Sequence, residues 1–246
     1  MAKKCAHVGG QAVIEGVLMK NESKIAIAVR KPNKKISLKK MRYPSIAKKV
    51  KFLGWPFCRG IVNLIEMLVL GIKALNYSAN ESMGEKDEKI TKTEFAVTTI
   101  IAMSVAVGLF ILLPLYLTKI TRTEGILFNL IDGVIRVVIF VLYILVISLM
   151  KDVKRLFEYH GAEHKTVNCY EAGKKITLKN VKKYTTSHRR CGTTFLLIVL
   201  VISILIFSLI VTDSFWIKFA GRILLLPVIA GISYELLKLG AKFPKN

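Results

Sequence analysis

Carboxylates are scarce in this chain. Only 16 Asp and Glu face 38 Lys and Arg across 246 residues, a formal net charge of +22. No nucleic-acid recognition motif accompanies the surplus, so specific nucleic-acid binding is not expected. Anionic lipid headgroups account for it better, each Lys or Arg near such a surface being worth about 1 kcal/mol. Histidine is rare, and so is cysteine, with 4 copies of each. Internal repeats and low-complexity tracts are absent, which excludes solenoid architectures. The opening Met-Ala-Lys-Lys lacks an apolar core, so no cleaved signal peptide is expected.

Apolar residues are abundant. They make up 53% of the chain, mean hydropathy is +0.48, and yet 22% of residues are charged. A soluble domain rarely combines these values, whereas a multispanning protein with basic loops does. Four stretches approach the ~20 residues a span needs: Phe95–Leu117, Leu127–Met150, Thr194–Val211 and Phe219–Leu239. Helix is the economical form, because unpaired backbone groups in lipid are costly. Residues 1–94 and 151–193 are rich in Lys and Arg, while the connections Thr118–Gly125 and Thr212–Lys218 are short and carry few charges. The positive-inside rule then places both termini, including Lys238, Lys242 and Lys245, and the 151–193 insertion in the cytoplasm of a multi-pass cell-membrane protein. All four cysteines would sit on the reducing side, where metal ligation or free thiols are expected rather than disulfides.

The expected architecture is an α-helical polytopic membrane protein with about four transmembrane helices, a small N-terminal β unit and a cytoplasmic His-rich helical insertion. Its divisions are 1–54, a β-rich unit; 55–94, an amphipathic or re-entrant helix and a hinge; 95–150, a first transmembrane hairpin; 151–193, the insertion; and 194–246, a second hairpin with a basic tail. In the β unit, Gln11–Met19 follows Gly9-Gly10, and KIAIAVR (24–30) and KKISLKK (34–40) alternate charged or small with apolar residues, together predicting two or three antiparallel strands. Lys151–Tyr170 reads as a helix stopped at Gly173.

The insertion holds the chemistry. His160-Gly161-Ala162-Glu163-His164 sets two imidazoles at i and i+4, on one helix face, beside a carboxylate. Two neutral imidazoles so placed can close on one cation, zinc being the natural choice. The order His-x-x-Glu-His is that of the inverted zinc-peptidase motif, in which the carboxylate is the general base. The bland alternative is a pair of solvated histidines on a basic loop. Against it, His188 and Cys191 lie in the same insertion of a histidine-poor chain. If all four bind, the site is closed and structural. If three bind, water can take the open position, with Glu163 as base and Glu158 or Glu171 as alternative third ligands. Glu163 could equally orient a ligand.

Other polar residues stand out against their surroundings. Asp132 and Arg136 form an i,i+4 pair in the second span, expected to neutralise each other, and Arg222 is expected to reach outer headgroups. Glu235, near the cytoplasmic end of the last span, is either functional or a surface partner of Lys238. Gln11 and Glu15 are expected to share a strand face and line a pocket. His7 and Cys5 are too isolated to assign.

The motifs GGQAVIEGVLM, RGIVNLIEMLVLGIKALNYSAN, EYHGAEHKTVNCYE, HRRCGTTFLL and ISYELLKLG together resemble the YqhQ-like bacterial membrane family, over nearly the whole chain. The resemblance implies an integral protein of the cytoplasmic membrane, often described as a predicted metal-dependent enzyme. Family members usually read His-Pro-Arg-Cys-Gly where this chain has His188-Arg189-Arg190-Cys191-Gly192, which loosens the turn presenting His188 and Cys191. The expected activity is metal-assisted hydrolysis of a membrane-associated substrate, with His160 and His164 holding the metal and Glu163 activating water. The rival expectation is non-enzymatic: a basic cytoplasmic domain that docks on a membrane-protein complex or anionic lipid.

Overall fold

The computed structural model describes residues 8–46, 50–55, 58–83, 91–188, 190–210, 212 and 214–240. Cys5, His7, residues 84–90 of the expected hinge, Arg189, Val211, and the tail lysines Lys242 and Lys245 lie outside them. The described residues group into two compact units, one within 1–54, 62–91 and 149–191, the other within 55–61, 92–148 and 192–246.

The first unit begins with a four-stranded antiparallel meander: β1 (Val8–Val13), β2 (Gly16–Asn21), β3 (Lys24–Arg30) and β4 (Ile36–Arg42). Where two or three strands were expected, the described residues form four. The apolar run that looked continuous from Gln11 to Met19 folds back at a two-residue turn, Ile14-Glu15, closed by the Val13–Gly16 pair. Glu15 takes a left-handed φ of 49° there. Two-residue hairpin turns favour such geometry, normally marked by Asn-Gly or Asp-Gly. No such marker is present, so the turn was invisible in the sequence. Gln11 and Glu15 consequently do not share a strand face: Gln11 is on β1 and its amide fills the space over Gly71, while Glu15 projects from the turn.

Alternation decides which side of the sheet is buried. Val13, Leu18, Ile25, Ile27 and Val29 lie on one face and pack against Leu70 and Ala74 of α1 (Cys58–Ser82). Within the 55–80 stretch the chain is one continuous helix from Cys58 onward, whose apolar stripe serves the sheet, with Ile65, Leu68 and Ile72 on its other side left exposed. On the opposite face of the sheet, α5 (Lys151–Glu171) lies across β1 and β2. It stops as expected: Gly173 has φ +67°, and its N–H and that of Lys174 return to the carbonyls of Tyr170 and Cys169. Between these elements in sequence come the helices of the second unit, and after α5 the short α6 (Leu178–Val181).

The second unit is helical. α2 (Lys92–Val107) runs through a π-helical turn, Gly108–Leu112, into α3 (Leu113–Ile120); α4 (Gly125–Ser148), α7 (Gly192–Phe207) and α8 (Phe215–Gly240) follow. Thr93–Ile120, Gly125–Ser148 and Phe215–Gly240 are long and apolar enough to cross a membrane. The stretch expected as the third span forms a helix of 16 residues, shorter than those three.

This unit also corrects the charge assignments. Arg222 does not reach outward: it is 1% exposed and donates to Asp132 Oδ1 at 2.9 Å, while Arg136 donates to Oδ2 at 2.9 Å. One carboxylate serves two guanidiniums, which flank the Phe207 ring at 5.4 and 4.8 Å from its centroid. Glu235 has Arg59 as an ion-pair partner. It accepts two bonds from Arg59, at 2.7 and 2.5 Å, beside a close crossing where a Cβ on Gly60 would lie 3.1 Å from Gly231 Cα.

Candidate metal centre

The centre is assembled on α5 by a loop tied down across it. Asn168 donates to the carbonyls of Thr185 and Ser187, at 3.1 and 3.0 Å, which seats residues 185–188 against the helix. Between those anchors the Thr186 carbonyl accepts from His164 Nδ1 at 2.5 Å. A carbonyl can only accept, so Nδ1 carries the proton and Nε2 keeps its lone pair free. A carbonyl held against one ring nitrogen is also the usual way a ligating imidazole is oriented.

Because Gly161 and Ala162 remain helical, His160 and His164 meet on one face, ring centroids 4.3 Å apart and planes 63° apart. Cys191 completes the group: its Sγ is 3.5 Å from His160 Nε2, and one donor atom from each of the three residues lies within 4.8 Å of the others. Zinc bonds of about 2.0–2.3 Å in tetrahedral geometry require donors roughly 3.3–3.8 Å apart. The Cys191–His160 spacing meets that already, and the remainder needs side-chain movement of about 1 Å. Two imidazoles and a buried thiol are a borderline-soft donor set that suits zinc. The residues present fit such an ion.

Glu163 adjoins the group. Its Oε2 is 3.5 Å from His164 Nε2, and the residue is 5% exposed. Burial pushes its carboxyl above the usual carboxylate range, partly opposed by the neighbouring imidazoles. The Cys191 contact raises His160, against a desolvation penalty. Glu163 can lie so close to β1 only because position 10 is glycine: a Cβ there would stand 2.5 Å from Glu163 Cγ and 2.6 Å from Cδ.

The other sequence candidates fall into place around this core. His188 is near, its ring 5.7 Å from that of His164, yet it stands outside the three-residue group. Its Nδ1 accepts from the Arg190 N–H at 3.3 Å and its Nε2 faces Glu171 Oε2 at 3.3 Å, so both nitrogens are engaged. Burial lowers His188, outweighing Glu171. Glu171 is held by Arg190 as well. Glu158 pairs with Arg155 at 2.9 Å, and Arg155 with Tyr159 binds Glu15, clamping the β1–β2 turn to α5. Glu235 belongs to the helical unit. Sequence reasoning missed Gly10, Thr186 and Asn168. The Gly9-Gly10 pair was a usable signal for the first; the other two act through a backbone carbonyl and a loop anchor, which no residue pattern marks.

Comparison with known proteins supplies a family but no reaction. Residues 55–246 match the family described as protein of unknown function (DUF1385). The chain is 32% identical over 258 aligned residues to "Uncharacterized protein YqhQ" of Bacillus subtilis (strain 168), an alignment covering 95% of this chain and 79% of that protein. No solved structure matches.

Proposed function

The chain belongs to the DUF1385 family of proteins of unknown function, and we propose that it is a multi-pass protein of the cytoplasmic membrane whose α5 centre binds zinc and hydrolyses a membrane-associated substrate, lipid or peptide. The observation that carries this reading is the convergence of His160, His164 and Cys191 beside the buried Glu163.

In the proposed topology α2–α3, α4, α7 and α8 are four spans, with both termini and the 151–193 segment in the cytoplasm. The 16 residues of α7 cover about 24 Å as helix, so this span relies on the turn after Phe207 to complete the crossing. The lysine-rich segments on one side and the short 121–124 connection on the other support that orientation.

At the site, His160 Nε2, His164 Nε2 and Cys191 Sγ would hold the ion. A divalent ion there would supply Lewis-acid polarisation of a carbonyl or phosphoryl oxygen. Glu163 Oε2 takes the proton of the attacking water, and its burial keeps the carboxylate unsolvated and ready for transfer. The Thr186 carbonyl fixes the His164 tautomer, and Gly10 keeps β1 out of the carboxylate's way. A set of three protein donors would suit a catalytic rather than a structural zinc.

The test is metal content together with turnover. Purified protein should carry about one zinc per chain by elemental analysis, the number a single three-donor site sets. His160→Ala and Cys191→Ser should lose it. Glu163→Gln should retain it while abolishing product release from reconstituted membrane lipids or peptides, followed by mass spectrometry. Wild type without stoichiometric metal refutes the reading; full turnover by Glu163→Gln refutes the catalytic role of that carboxylate.

A further inference from the structure

Between Glu22 and Glu66 the chain contains no carboxylate, while Lys and Arg recur throughout that segment. Folding concentrates them. The β3–β4 register sets Lys24 directly opposite Arg42 and Ala26 opposite Lys40. Period-2 alternation puts Lys24, Lys40 and Arg42 on one face, the one turned away from α1. Like charges directly opposite on neighbouring strands oppose pairing. Among the described residues, none of these three cations takes part in a salt bridge.

The three line a cleft of ≈ 620 Å³ together with Lys20, over a floor that includes Met19 and Ala26, and no carboxylate lines it. Lysines on an edge strand such as β4 can act simply to discourage strand addition. That explanation does not reach Lys24, which lies on the interior strand β3, nor the cleft itself. The volume falls within the range of small-ligand sites. No aromatic ring lines the cleft, which removes the stacking platform that single-stranded nucleic acid uses. Cations beside an apolar floor match a phosphate group joined to an uncharged or hydrocarbon body.

We propose that this cleft at the end of the sheet binds a phosphate ester, with Lys24, Lys40 and Arg42 holding the phosphate and Met19 and Ala26 receiving the attached body. The site shares no residue with the zinc-type centre and does not depend on it.

The full-length protein in neutral detergent would be titrated calorimetrically with dihexanoyl phosphatidylglycerol, dihexanoyl phosphatidylcholine, glycerol phosphate and inorganic phosphate. Saturable binding of phosphatidylglycerol at least tenfold tighter than of phosphatidylcholine is expected. If glycerol phosphate binds as tightly as the lipid, the natural ligand is a soluble ester; if it binds far more weakly, the ligand is a lipid headgroup. Both results support the site. Each cation near an anionic surface is worth roughly a fivefold change, so the triple variant Lys24→Gln/Lys40→Gln/Arg42→Gln should weaken binding by well over tenfold. Arg42→Gln alone should weaken it severalfold, keeping the test usable if the triple variant fails to fold. The exposed pair Lys179→Gln/Lys182→Gln should change nothing. Loss of binding in that control, unchanged binding in the triple variant, or no saturable binding of any phosphate probe overturns the proposal.

Discussion

Gly10→Ala is the most informative single perturbation of the centre. The new methyl would lie 2.5 Å from Glu163 Cγ and 2.6 Å from Cδ, far inside contact distance. Glu163 is 5% exposed and cannot swing into solvent, so α5 must shift from β1 or the sheet must deform. Overpacking of this kind costs about 1–3 kcal/mol, and at roughly 2–4 °C per kcal/mol for a chain of this size the melting temperature should fall visibly. The cause can be isolated by a double-mutant cycle. Removing the obstructing side chain with Glu163→Ala should make the same glycine substitution nearly harmless, giving a coupling of at least about 1 kcal/mol. Thermal unfolding of the four proteins in detergent, read by circular dichroism, supplies the cycle. Strict additivity, or a Gly10→Ala variant as stable as wild type, would show that β1 and Glu163 are not packed as described.

Asp132→Asn should be among the most damaging changes in the helical unit. It strands Arg136 and Arg222, both buried, without their shared carboxylate, and breaking a buried pair in this way costs about 3–5 kcal/mol; an unchanged melting temperature would refute the triad. The Glu15–Arg155 clamp predicts a pH effect. Arg155 chiefly, with Tyr159, holds the Glu15 carboxyl below its ordinary value of 4.5 against a burial penalty. A depressed folded pKa contributes stability above the unfolded value that is lost as pH falls through the folded one. Hydrogen exchange in β1–β2 should therefore separate wild type from Glu15→Gln near neutrality and cease to do so well below pH 4.5. Arg155→Met should remove the same difference; persistence of the pH effect in that variant would assign it elsewhere.

Legibility in the sequence followed the range of the interactions. KIAIAVR announced β3 because Ile25, Ile27 and Val29 must all face the α1 side, and a period of two records that. The His160–His164 pair was readable because both residues sit on one helix and four-residue spacing is local geometry. Cys191 was a candidate by chemistry alone, and its placement depends on Asn168 holding the 185–188 loop. His188 had equal chemical claim. What set it apart is the Glu171–Arg190 partnership, a choice among nearby polar groups that spacing does not encode. Hydropathy located the apolar helices but could not foresee that Arg222 turns inward to Asp132, because a lone arginine reads the same whether it seeks headgroups or a carboxylate on another helix. The Ile14-Glu15 turn was hidden for another reason: its residues are not turn formers, and Arg155 and Tyr159 supply the compensation from 140 and 144 positions away.

The wide turn at Gly108–Leu112 has a consequence for how this helix can change. Its closing bond runs from the Leu113 N–H to the Gly108 carbonyl, five residues apart rather than four. One surplus residue is accommodated there, and it offsets everything downstream by ~100° of rotation. Excising a single residue between Gly108 and Leu112 would let ordinary winding resume while Pro114, Leu115 and Thr118 keep their sheltered side, because the surplus residue and its offset leave together. A one-residue deletion within this turn should thus disturb the segment less than the same deletion one turn further along, where it would swing every later side chain by ~100°.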